Sequence, residues 1–208
     1  MSANNIASGE LFLLLAGFWQ PPDEEFLDEI ANGSVDASLS RMGFQSVPFR
    51  FLVPSLPVLQ KFHSFHIQGY GRTSLLPVES LFKRWTEDPT ARLPIAGTTG
   101  YLMGDSAMHV QYLLNCYGLS VPPEYRMMPD HLALLLELAA FLLINRTPEE
   151  SQLFISQHLD WLDALESSFA ELDCENEAEQ QAQKFYQTAL HALQEAVAGE
   201  LKKRTNKQ

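Results

Sequence analysis

The stretch from Asp130 to Asn145 constrains this chain most. Leu132, Leu134, Leu135, Leu136, Leu138, Phe141, Leu142, Leu143 and Ile144 leave a helix there with almost no polar face. A helix that is apolar nearly all round is buried on most sides. This one is broken by Glu137 and is too short to cross a bilayer. The spacing therefore predicts the central helix of a globular domain. The chain has 208 residues, 46% of them apolar, which is enough for a sizeable core.

The other segments read as helices that could wrap it. Ile6 to Trp19 carries Leu11, Leu14, Leu15 and Phe18 at helical spacing, and Pro21 and Pro22 stop it. Asp23 opens a short helix that Asn32-Gly33 closes. Val58 to Gln68 forms another, ended by Gln68-Gly69-Tyr70-Gly71. Asp105 or Ser106 caps a helix to Tyr117, with Met108, Tyr112, Leu113 and Cys116 as its apolar stripe. Residues 118–130, with Pro122, Pro123 and Pro129, form a stiff non-helical hinge, and Asp130 is a natural N-cap for the helix that follows. Thr147 and Pro148 start the next helix, whose apolar stripe runs on through His158 and Trp161 to Phe169. A last helix spans about Glu177 to Lys203. Strand signals are almost absent, so the expected fold class is all-α. It is one domain, with an N-terminal lobe of about 1–117 and a C-terminal lobe of about 131–208.

Charge narrows the partners. The net charge is −12, and residues 101–201 hold 16 acidic against 3 basic side chains. That balance disfavours sequence-independent nucleic-acid binding and anionic membrane surfaces. It fits either a solvated acidic face or a field that steers a cationic ligand. Residues 1–10 contain no Lys or Arg before the run Leu11 to Trp19, which argues against a secretory signal. Cys116 and Cys174 have neither CxxC spacing nor zinc-ligand neighbours. No stable membrane insertion is expected, and a cytoplasmic location fits.

Catalytic and cofactor motifs are sparse. Gly104-Asp105-Ser106 invites a serine-hydrolase reading with His109 or His131 as base, but no GxSxG is present. His63-x-x-His66 lacks an acidic residue within ten positions and reads as structural. Gly69-x-Gly71-Arg72 has no strand before it and is too short for a phosphate loop. No cofactor is implied. Asp130-His131 is either a cap plus an exposed imidazole or a pair facing a ligand in the hinge. Glu137 either reaches water or serves a polar site.

Three blocks carry a resemblance. They are Tyr101-Leu102-Met103-Gly104-Asp105-Ser106 and Tyr117-Gly118-Leu119-x-Val121-Pro122-Pro123-Glu124-Tyr125-Arg126-x-Met128-Pro129-Asp130-His131, with Pro77-Val78-Glu79-Ser80-Leu81-Phe82 upstream. With Phe154-x-x-x-His158-Leu159-x-Trp161-Leu162 downstream, the chain resembles the TorD/DmsD/NarJ chaperones over roughly residues 10–195. That family matures molybdopterin-dependent oxidoreductases. Met127 and Met128 stand where several members have Glu. The resemblance implies an all-helical, TorD-like domain that binds the twin-arginine signal peptide of the enzyme's catalytic subunit. It also implies cofactor insertion before export. Asp130, His131, Pro129, Met128, Gly104, Asp105, Glu79, Phe82 and Trp85 are the expected peptide-binding residues. The chaperone would act as a monomer or a domain-swapped dimer. A helical protein-interaction adaptor is the remaining alternative.

Overall fold

A computed structural model describes residues 3–44, 48–69 and 75–205. Tyr70, Gly71 and Arg72 of the glycine segment, and Lys207 of the basic tail, lie outside the described residues. The described chain is all-α. Its helices are α1 (Ala3–Gly17), α2 (Glu24–Ala31), α3 (Ser34–Arg41), α4 (Leu56–Phe62), α5 (Glu79–Phe82), α6 (Asp105–Cys116), α7 (Leu132–Asn145), α8 (Pro148–His158), α9 (Leu162–Ala170) and α10 (Glu177–Thr205). A π-helical turn, His63–Ile67, extends α4. None of the helices is long and apolar enough to cross a membrane among the described residues.

α7 is the centre, as its composition demands. Leu132, Leu135, Leu136, Ala139 and Ala140 are fully enclosed. α1 lies along it, and the two approach closely at Gly9, where an added Cβ would sit 2.5 Å from the Ile144 side chain. α10 closes the other side against α1, α4, α8 and α9. Its Phe185 and Tyr186 join Phe18, Trp19, Phe49 and Phe62 in one aromatic cluster, with Phe62 stacked on Tyr186 at 5.4 Å. One continuous core thus takes side chains from both sides of residues 118–130.

The start signals behave as their chemistry requires. The Asp23 carboxylate accepts the Phe26 N–H at 2.8 Å. Thr147 and Glu150 form a reciprocal capping box on α8.

Five elements differ from the sequence reading. Pro123–Tyr125 is a 3-10 turn inside the segment expected to be non-helical. α3 is an additional helix, held at its start by Asn32 and burying only Val35 and Leu39. The cap of α7 is His131 rather than Asp130: its Nδ1 accepts the Ala133 N–H at 3.3 Å. The residue capping α6 is Gly104, and that helix buries Ala107, Val110 and Leu114, leaving Met108, Tyr112 and Cys116 exposed. The stripe from Leu153 to Phe169 belongs to two helices, because Leu159–Trp161 breaks the chain between α8 and α9. There the Trp161 indole donates to the His158 carbonyl at 2.8 Å.

Candidate functional site

The proline-bearing blocks meet as a clasp. Met128-Pro129-Asp130-His131 is a β-turn closed by His131 N–H donating to the Met128 carbonyl at 3.0 Å, with Pro129 preset at its second position. The turn delivers His131 opposite Val78 as an isolated antiparallel bridge. Leu132 N–H donates to the Pro77 carbonyl at 2.8 Å, and Glu79 N–H donates to the Asp130 carbonyl at 3.1 Å. The Asp130 carboxylate then accepts the Ser80 N–H at 2.7 Å. Asp130 therefore caps α5 from fifty positions away.

Burial defines what the clasp residues do. Glu79 and Asp130 are wholly enclosed and His131 is nearly so. Burial raises the Asp130 pKa; the bond from Ser80 works against this, and the Glu79 charge adds to it. Burial also holds His131 neutral, down to about 3, with a further contribution from His63. The neutral ring is what the cap needs, since Nδ1 must accept. Tyr125 covers the ring at 4.7 Å.

Glu79 faces the other way, into a cavity of about 590 Å³ between α5, α6 and the end of α8. Its Oε2 lies 2.7 Å from His158 Nδ1, and its Oε1 lies 2.9 Å from Lys83 Nζ. Lys83 also reaches Asp160 at 2.6 Å and the Gln157 carbonyl. Burial opposes the charge on Lys83, but Glu79 and Asp160 outweigh it and raise its pKa. His158 Nε2 lies 2.9 Å from His109 Nδ1. One of these two ring nitrogens donates and the other accepts. Burial and then His158 lower the His109 pKa, against an opposing pull from Glu79.

The wall opposite is built by close backbone approach. Gly104 is obligatory there, since a Cβ would fall 2.7 Å from the Trp85 carbonyl oxygen. Asp105 N–H donates to that same oxygen at 2.8 Å. The Asp105 carboxylate accepts the Thr86 hydroxyl at 2.6 Å and the Glu87 N–H at 3.2 Å, fixing the loop that follows α5. Arg84 and Glu87 pair at the rim at 3.5 Å, both well exposed.

The expected residues therefore divide. Glu79 and Asp105 line the cavity. Asp130, His131, Pro129 and Gly104 are buried and hold its walls. Phe82 is half-buried and stacks on Trp161 at 4.9 Å, and Trp85 and Met128 are half-buried. Lys83 and Asp160 were not legible as site residues. Asp160 faces Lys83 only because of the α8–α9 break. Glu137, half-buried, receives a bond from Gln20 at 2.8 Å, away from the cavity.

The geometry offers binding rather than bond-breaking. Ser106 Oγ is enclosed without a hydrogen-bond partner, while His109 is engaged with His158 and His131 is the cap of α7. A serine nucleophile needs a base in reach. No group of three metal-ligating side chains occurs among the described residues.

Residues 56–175 match the nitrate reductase delta subunit family, a span that contains the whole clasp and cavity. The chain belongs to that family. Comparison with curated proteins and with solved structures returns no match. Nitrate reductase delta subunit proteins are the NarJ/TorD-type chaperones that mature redox enzymes and are not enzymes themselves, in line with the resemblance read from the sequence. α1 and α10 lie outside the matched span and complete the core around it.

Proposed function

We propose that this protein is a cytoplasmic chaperone for one molybdopterin-dependent oxidoreductase, and that it binds the twin-arginine signal peptide of the catalytic subunit. It holds the precursor back from export while the molybdenum cofactor is inserted. The observation that carries the reading is the cavity where Glu79, Glu87, Asp105 and Asp160 converge. Carboxylates receive guanidinium groups through paired, charge-assisted bonds. Glu87 and Asp160 are the accessible acceptors, with side chains 73% and 54% exposed, and an arriving guanidinium would exchange with their present partners Arg84 and Lys83. Glu79 is committed to Lys83 and His158, and Asp105 to its loop. In this reading Asp130 and His131 act through α5 and α7, keeping the cavity's walls in register.

Calorimetric titration with a signal peptide bearing the arginine pair, against the same peptide with both arginines changed to alanine, tests it. Saturable binding of the first and a loss of tenfold or more for the second is the expected result. Equal affinity for both, or none for either, contradicts it.

A further inference from the structure

α6 carries a second apolar stripe besides the one it buries. Met108, Tyr112 and Cys116 stand one turn apart on its solvent side, with Met108 52% and Tyr112 63% exposed. The first turns of the same helix present Asp105, Ser106 and His109 to the carboxylate cavity. The stripe thus begins where the cavity ends. From Val110 to Cys116 the helix has no charged residue.

We infer that this face seats the apolar stretch that follows the arginine pair in the client peptide. The inference rests on the proposed function and adds the location and polarity of the bound segment. Charge carries the argument. Along α6 the surface changes from a charged rim, where Asp105, Glu87 and Asp160 are exposed beside Lys83 and Arg84, to an uncharged apolar ridge, in the order in which the peptide changes from arginines to apolar residues. Met108 to Cys116 spans about 12 Å of helix, matching about four extended residues. A flexible thioether and an aromatic ring accommodate varied apolar side chains.

The test uses the full chain, two peptides and one surface variant. The first peptide has the arginine pair and its apolar stretch; the second has the pair followed by serines and glutamines. The variant M108Q/Y112Q should bind the first peptide at least tenfold more weakly than wild type, with an unchanged affinity for the second. Tyr112→Gln alone replaces it if the double variant melts early. Wild-type affinity of the variant for the first peptide, while wild type still distinguishes arginine from alanine, overturns the α6 inference and leaves the proposed function standing. Absence of binding by wild type overturns both. A dimer in sedimentation that the variant dissociates, with unchanged peptide affinity, assigns the face to a second copy of the chain and also overturns it.

Discussion

The Asp130 carboxylate and the Ser80 N–H lie 2.7 Å apart, although fifty residues separate them. This one bond, with the Val78–His131 bridge beside it, fixes α5 on the N-terminus of α7. Everything α5 brings to the cavity, Glu79 and Lys83 above all, depends on it. Asp130 and His131, both expected at the peptide site, are buried in this clasp beside the cavity's wall.

Replacing Asp130 should therefore act on stability first. Asp130→Ala leaves a buried N–H unpaired and costs about 1–3 kcal/mol. Asp130→Asn keeps an accepting oxygen and costs less, since burial already disfavours the charged form. Urea unfolding checks this; equal losses in both variants would mean that the charge, not the bond, is what matters.

Acid should destabilise the fold before ordinary carboxylates titrate. Burial lowers His63 to about 4 and His131 to about 3 from a normal value of 6.5. Between pH 6.5 and those values the unfolded chain binds more protons, so stability falls as pH falls. The slope approaches about 1.4 kcal/mol per pH unit for each imidazole. Asp130 and Glu137, with raised values, oppose this at the acid end. Urea midpoints at pH 7, 6 and 5 should decline, and less steeply in His131→Asn, which keeps a capping acceptor. Equal slopes in the two proteins would contradict the buried neutral cap.

The Glu79–Lys83 pair is predicted to be unequal in its parts. Lys83→Met takes the cation from a fully enclosed carboxylate, leaving it His158, and should cost about 3 kcal/mol. Adding Glu79→Gln removes the stranded charge and should recover part of the loss. A double variant as unstable as the sum of the single variants would show no coupling.

How far the sequence reached depends on the kind of signal. α7 was legible because a helix without a polar face has only one place to go. The helix starts at Asp23 and Thr147 were legible because capping chemistry acts within three residues. The inward face of α6 was not: Met108–Tyr112–Cys116, at steps of four and four, and Ala107–Val110–Leu114, at steps of three and four, are both helical stripes, and only the surrounding helices choose between them. α3 escaped notice because it buries just two side chains. The cap of α7 shifted by one residue because the Asp130 carboxylate was claimed by a distant N–H. The cavity itself needed the α8–α9 break, which an unbroken apolar stripe conceals.

Amide chemical-shift mapping with the arginine-pair peptide tests the central claim most directly. The account predicts saturable shifts concentrated at residues 79–87, 105–109 and 157–160, lost when both arginines are alanine. Shifts confined to the other acidic groove, between Phe65 and Glu179, with the cavity residues unmoved, would contradict it.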